Sequence, residues 1–439
     1  MRGALLREWA GYISTAAISE QLTGKSCQIR SIHTIAGPRA GALEILAGLD
    51  AGMLLQAFTR NDCATLRQFI PWDFTGEPQV FMSGRYVRLE AGWPDELAEK
   101  VIRLDAMGRN PTGDGRWIAG RNEYGETIRP GLNDRTSNFL ISGEPGVGKS
   151  VAMRGALLQL AQDPQNRIVL LDGKYGDSLR AVEHLPGVVG PCAVDVPQMQ
   201  AALAWCVEEM RQRYLNGHDG RLVIAFDEFQ DTTDDKAISD MLCKLTRQGR
   251  GAGVHCILAT QYPTVKTFGD SGTRRAMVGK VALRVEGFEA SRVAVNGPVP
   301  RADHLLGAGD SYTIAPGACH RVQIVYVDHR EIEHADTGIW LLNEWPAFDA
   351  GALGQDLPER GWSYSGQELA ASLVAAAEGE GRPAMVKRLD NKPGAERAIR
   401  LLNLGRETNS ALEQMGYAVC LSGEPTDNGN NSQIVVYGG

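Results

Sequence analysis

The stretch that most constrains this chain is Asn138-Phe139-Leu140-Ile141-Ser142 followed by Gly143-Glu144-Pro145-Gly146-Val147-Gly148-Lys149-Ser150. A short apolar run enters a loop of the form G-x-x-x-x-G-K-S, and Val151 to Leu160 continues with the apolar content of a helix. Glycines at 143, 146 and 148 let the backbone turn so that successive N–H groups face inward, where phosphate oxygens can accept from them. Lys149 is positioned to meet the β and γ phosphates as a compact cation, and the Ser150 hydroxyl to take one place on Mg²⁺. The partial positive charge of the helix start falls where the phosphates must sit. The segment from Gly143 to Val151 is therefore expected to bind a nucleoside triphosphate, with ATP and Mg²⁺ as cofactors.

The rest of the sequence says what surrounds this loop. The chain has 439 residues, 43% of them apolar and 22% charged, which is ordinary for a soluble globular protein of several domains. No uncharged apolar run approaches the ~18 residues that a membrane-spanning helix needs. The N-terminus carries Arg2, Arg7 and Glu8 without a signal-peptide core, so a cytoplasmic location is expected. The 8 cysteines are scattered with no C-x-x-C pair, which argues against both a disulfide framework and a zinc site. A formal charge of −8 excludes a uniformly basic coat, so contact with nucleic acid requires a local basic surface.

In chain order, Leu6, Trp9 and Ile13 give an amphipathic first helix that can dock on its own domain or on a neighbour. Strands are expected over Cys27 to Ile35, Ala42 to Ala47 and Gln79 to Leu89, and helices over Ala51 to Phe69 and Pro94 to Leu104. This N-terminal α+β unit, assigned to residues 1–130, has no catalytic constellation of its own. Residues 131–345 alternate strand and helix as an α/β domain does. Arg167 to Leu171 reads as a strand ending in Asp172-Gly173-Lys174, and Pro197 to Asn216 as a helix. Leu222 to Phe226 is a buried-strand run ending in Asp227 and Glu228. Asp227 has the position to hold Mg²⁺, and Glu228 to polarise the water that attacks the γ-phosphate. A further strand, His255 to Ala259, ends in Thr260-Gln261 and sets a neutral amide at the sheet edge where ligands collect. Gln261 is the expected γ-phosphate sensor.

At this point several spaced motifs resemble the FtsK/SpoIIIE family of double-stranded DNA translocases. Leu245-Thr246-Arg247-Gln248-Gly249-Arg250-Gly251-Ala252-Gly253 leading into His255 to Pro263 resembles the family's basic helix end and Ala-Thr-Gln strand. Glu183-His184-Leu185-Pro186, Trp205 with Glu209 to Tyr214, Leu305 to Asp310, Arg321-Val322-Gln323, and Gly120 to Glu126 are also similar to family segments, in the same order. The resemblance spans about residues 25 to 335. It implies a RecA-like P-loop motor, a hexameric ring around double-stranded DNA, and ATP bound between subunits with an arginine supplied by the neighbour. A guanidinium suits charge spread over a transferring phosphoryl group. Arg247, Arg250 and Arg292 are the candidates.

Between Lys244 and Arg301 stand 10 basic residues against Asp270, Glu286 and Glu289, a basic sector within an acidic chain. Lys266, Arg274, Arg275 and Lys280 lie in or beside its glycine-containing loop and are the expected phosphate contacts to DNA. Residues 346–382 read as a linker with one alanine-rich helix, Glu368 to Ala377. Residues 383–439 read either as a small winged helix-turn-helix or as a domain that docks another partner. Two rival functions remain from the sequence: a type VII protein-secretion ATPase, and a DNA-binding adaptor that does not translocate.

Overall fold

The computed structural model describes residues 1–60, 63–107, 113–232, 234–264, 266–268, 271–347, 384–386, 417–422 and 433–438. The chain divides into two compact units, Met1–Ala350 and Gly351–Gly439.

The first unit opens with helix α1 (Arg2–Ile18). Leu6, Trp9, Ile13 and Ala17 are buried on its inner face, so the helix docks on its own unit. It packs on a four-stranded antiparallel sheet of order β1-β2-β4-β3, made by β1 (Ser31–Ala36), β2 (Ala40–Leu46), β3 (Thr75–Ser83) and β4 (Tyr86–Gly92). Two short helices, α2 (Ala51–Thr59) and α3 (Ala64–Arg67), lie between β2 and β3. A tryptophan stack fills this core, with Trp72 5.2 Å from Trp9 and 4.8 Å from Trp93. Gly41 is required here, because a Cβ would meet the Trp93 ring at 2.7 Å.

Three expected elements take a different form. The single strand Gln79 to Leu89 is the β3–β4 hairpin, turned by Gly84-Arg85 with Gly84 at φ +59°. The helix expected over Ala51 to Phe69 stops at Thr59, because Arg60 is extended and Cys63 takes a left-handed φ of +63° before α3 begins. Pro94 to Leu104 makes only one turn. Leu97 and Ala98 N–H reach the Pro94 carbonyl, but Glu99 N–H donates to Pro38, and β5 (Ile102–Arg103) pairs with a distant strand.

The larger sheet has ten strands. Three of its members, β5, β6 (Gly120–Asn122) and β7 (Thr127–Ile128), precede residue 130, so this sheet draws on both sides of that position. The central strands are β8 (Phe139–Ser142), β9 (Arg167–Asp172), β10 (Leu222–Asp227), β11 (Val254–Thr260) and β12 (Gly279–Leu283). They run parallel in the order β12-β8-β11-β10-β9. All but the first residue of β9 are buried, which is why these segments read as continuous apolar runs. The antiparallel pair β13 (Asp310–Ala315) and β14 (Ala318–Tyr326) extends the sheet from β12 to β6.

Helices α4 (Lys149–Leu160), α5 (Val196–Asn216), α6 (Lys236–Gln248), α7 (Ser271–Ala276), α8 (Gly287–Val295) and α9 (His329–Glu333) complete the unit. The starts of α5 and α6 are capped by Asp195 and Asp235, whose carboxylates accept from Gln198 and Ile238 N–H, each at 2.9 Å. Beyond α9, residues 338–345 are tied to the segment after β9. Gly338 N–H donates to His184 O, Trp340 Nε1 to Glu183 O, Leu342 N–H to Val189 O and Trp345 Nε1 to Pro191 O, at 2.8–2.9 Å.

In the second unit, β15 (Ala384–Val386), β16 (Tyr417–Ser422) and β17 (Gln433–Gly438) form an antiparallel sheet of order β15-β17-β16. The helices expected at Glu368 to Ala377, Ala395 to Leu402 and Thr408 to Met415 lie outside the described residues.

Candidate functional site

The sheet order decides the site. Because β11 lies between β8 and β10, the loop after β8, the acids after β10 and the amide after β11 emerge side by side at one carboxyl edge. Gly143 N–H donates to Thr260 O at 3.2 Å, joining the first residue of the loop to the end of β11. Glu144 N–H donates to Arg284 O at 2.8 Å, and the Arg284 guanidinium grips the Glu144 carboxylate at 2.9 Å. Gly146 and Gly148 sit at φ +76° and +112°, in conformations that side chains resist. A Cβ on Gly146 would meet open space, so that glycine is there for its backbone and for room at the mouth of the loop. Pro145 and Val147 complete the turn. Val147 is buried and its carbonyl accepts from Gly309 N–H at 2.9 Å, while Val151 follows in the first turn of α4.

Lys149 is buried, and its Nζ lies 3.2 Å from Glu144 O and 3.7 Å from a Glu228 carboxylate oxygen. Burial holds its ammonium below the ordinary lysine range, partly offset by Glu228 and Asp227. Ser150 Oγ is 2.9 Å from Ser178 Oγ and donates to Asp227 Oδ2 at 3.3 Å. Burial pushes the Asp227 carboxyl up, with Glu228 and Asp172 adding to the effect. A hydroxyl beside a desolvated carboxylate is an oxygen donor pair for a hard divalent cation, so Ser150 and Asp227 fit Mg²⁺.

Glu228 stands one residue beyond β10 at a left-handed φ of +51° and is 1% exposed. Its Oε1 accepts from Lys174 Nζ at 2.8 Å and Gln261 Nε2 at 2.5 Å, and its Oε2 from Gln230 Nε2 at 2.6 Å. Burial alone would raise this carboxyl, but these donors outweigh it and hold it below the usual carboxylate range. Thus Lys149, Ser150, Asp227, Glu228 and Gln261, separated by more than 110 positions in sequence, meet at one edge.

The loop after β9 belongs to the same site, and the sequence reading gave it no role. Asp172 is fully buried and pairs in register with Asp227. Its carboxylate accepts from the N–H groups of Lys174, Ser178 and Leu179 at 2.8–2.9 Å, which fixes the loop. That mounting carries Lys174 to Glu228 and Ser178 to Ser150. The visible signal was the Asp-Gly-Lys turn at a buried strand end. Its partners became apparent only from the register of β9 on β10.

The other expected residues lie elsewhere. Arg247, Arg250 and Arg292 are exposed, at the end of α6, in the turn that follows and on α8. Arg250 Nη1 lies 3.5 Å from Asp134 O, and Arg292 pairs with Glu289 at 3.3 Å. None joins the site within its own chain. Arg275 is exposed and Arg274 half-buried on α7, and Lys266 opens the short 3₁₀ turn Lys266–Phe268 just before it. Lys280 differs from the surface contact expected. It is buried in β12, donates to Val293 O at 3.3 Å, and is pushed down to about 8 by burial and by Arg274. A basic residue in a short strand reads as a surface cation, and here the sheet has covered it.

Comparison with known proteins agrees with this geometry. Residues 115–222 match the family model described as FtsK/SpoIIIE family. DNA translocase FtsK 1 of Neisseria meningitidis is 25% identical over 287 residues, covering 54% of this chain and 34% of the relative. DNA translocase FtsK of Leptospira interrogans is 27% identical over 279 residues, covering 55% of this chain and 29% of the relative. The chain thus spans about a third of the length of these curated relatives. The solved structure of the pCW3 conjugation coupling protein TcpA, a monomer with ATPγS, superposes with a TM-score of 0.50 at 16% identity, covering 76% of this chain and 98% of that one. Residues 115–222 thus carry the FtsK/SpoIIIE family match, and over about half of its length the chain is a distant homologue of the FtsK translocases.

Proposed function

We propose that this chain hydrolyses ATP at the β8–β10–β11 edge and uses the energy to move double-stranded DNA, as a RecA-like motor working in a hexameric ring. The observation that carries the reading is the meeting of Lys149, Ser150, Asp227, Glu228 and Gln261 within hydrogen-bond reach of one another or of a shared partner. Mg²⁺, when bound, supplies charge that neutralises the β and γ phosphate oxygens. Lys149 and the N–H groups of Gly143 to Ser150 bind the phosphates, and Ser150 and Asp227 hold the metal. Glu228 takes a proton from the attacking water, and Gln261 orients the γ-phosphate end. An exposed arginine from a neighbouring subunit, drawn from Arg247, Arg250 and Arg292, completes the charge balance.

Lys266, Arg274 and Arg275 are assigned to the DNA backbone, which they position without reading its sequence. This assignment rests on the basic sector from Lys244 to Arg301 and on the exposure of Arg275. The proposed domain organisation is an N-terminal α+β unit to about residue 130, the motor to about 345, a linker, and a C-terminal domain that contacts DNA or a further partner. ATP turnover measured with duplex, with single strands and without DNA tests the reading. Strong stimulation by duplex alone is expected. Turnover indifferent to every DNA would favour a protein-moving ATPase, and no turnover would leave a binding adaptor.

A further inference from the structure

One oxygen of the Glu228 carboxylate, Oε1, carries more donors than it can keep while it takes a proton. Oε1 already accepts from Lys174 at 2.8 Å and Gln261 at 2.5 Å, with Lys149 a third cation at 3.7 Å, and Oε2 accepts from Gln230 at 2.6 Å. A carboxylate oxygen offers about two lone-pair sites, so Oε1 has none left for the proton of a water and Oε2 keeps one. For Oε1 to take a proton, one donor has to leave. Lys149 is 5% exposed and has its own task at the phosphates, and both glutamines lie on segments directly joined to the sheet edge. Lys174 is the donor with an alternative, since its side chain is 41% exposed and water can replace Glu228 as its partner.

The loop beneath Lys174 is built to hold still while the side chain moves. Asp172 clamps it through three backbone N–H groups. Gly173 packs so closely that a Cβ would lie 2.7 Å from the Glu228 carbonyl oxygen. Tyr175 follows at a left-handed φ of +58° with its ring 79% exposed, so the tip of the loop faces outward. A rigid mount carrying a long, half-exposed cation onto a filled carboxylate oxygen has the geometry of a latch.

We propose that Lys174 is such a latch: a positioning residue that keeps Glu228 occupied in the resting chain and releases it for hydrolysis. The inference rests on the ATPase reading above and adds a restraint to it. With Lys174 engaged, turnover without DNA is low because Oε1 is blocked and the adjacent ammonium makes Glu228 a weaker base, and binding of nucleotide is unaffected. Ser178, on the same loop, ties the latch to the metal-binding pair through Ser150.

The test is ATP turnover of the full chain without DNA for wild type, Lys174→Met, Lys174→Arg and the double variant Lys174→Met with Glu228→Gln. Release of a half-exposed ion pair predicts a rise in kcat of about threefold to fivefold for Lys174→Met, with KM within about twofold. Lys174→Arg keeps the cation and should return kcat to near the wild-type value. The gain should vanish in the double variant, because it passes through Glu228. A Lys174→Met kcat at or below wild type, or an equal rise in Lys174→Arg, would overturn the latch while leaving the ATPase reading intact. If neither wild type nor Lys174→Met turned over ATP, the ATPase reading would fall first and the latch with it.

Discussion

At the junction between the small sheet and the large one, Arg321 of β14 is buried between Asp310 and Glu90, at 2.6 and 2.8 Å, and Arg88 of β4 is surrounded by Glu44, Glu90 and Glu123 at 2.7–3.1 Å. At the carboxyl edge of the large sheet, the buried Lys149 and the half-exposed Lys174 face Glu228 and Asp227, both buried. The two clusters share their chemistry and differ in what their members can do next. Each arginine at the junction is forked onto several carboxylates, and both are nearly dry, so neither can leave without stranding a buried charge. At the edge the cations are lysines, single-point donors on flexible stems, and one is half in water. Guanidinium networks fix two sheets together, whereas the ammonium contacts at the edge leave one partner of Glu228 within reach of water.

The largest expected effect breaks the edge cluster. Lys149→Ala should lower kcat/KM for ATP by on the order of 10²-fold or more with the melting temperature little changed, as read by steady-state kinetics and a thermal scan. Arg321→Ala should do the reverse. It leaves Asp310 buried without its cation and Glu90 with Arg88 alone, and should cost about 3–5 kcal/mol in denaturant unfolding, with the nucleotide edge chemically untouched.

Glu123 sharpens the contrast through pH. Burial pushes its carboxyl up to about 7 in spite of Arg88, and one of its oxygens has no partner. A carboxyl whose folded pKa lies above its unfolded value binds protons more tightly in the fold. Its contribution to stability therefore falls as pH rises from the unfolded carboxylate range to about 7, and is level above that. Glu123→Gln should be more stable than wild type by about 1–3 kcal/mol at pH 8, and the gap should close near pH 5, as measured by urea midpoints at both.

The smallest effect separates two kinds of cation in the basic sector. Arg274→Ala with Arg275→Ala should weaken duplex binding at every sequence and flatten its salt dependence by ~0.9 log units for each phosphate no longer neutralised. Lys280→Ala, at a buried position, should lower the melting temperature and leave the salt slope unchanged.

Much of the edge was legible in the sequence because its parts are local. The run into Gly143 to Ser150, the apolar stretch ending in Asp227-Glu228 and the strand before Gln261 each carry their own signal. Helix α5, expected over Pro197 to Asn216, was legible for the same reason, from its apolar stripe. What was hidden depends on which strands are neighbours. Lys174, Ser178 and Gln230 are ordinary polar residues until β9 lies in register on β10. The β3–β4 hairpin was hidden by a two-residue turn set within a long apolar stretch. Pro94 to Leu104 had helical spacing, but its backbone found better partners in Pro38 and β14. Lys280 shows the same limit, since a lone lysine does not announce which side of a sheet will cover it.

Residues 338–345 are pinned by two indole N–H groups and two backbone N–H groups to the segment from Glu183 to Pro191, which begins a few positions after the loop that Asp172 fixes. A pull on the polypeptide beyond Ala347 would be felt first at those indoles and then, within about ten residues, at the turn that carries Ser178 and Lys174. The chain at Ala347 is thereby a short path from the loop that carries Lys174 to Glu228.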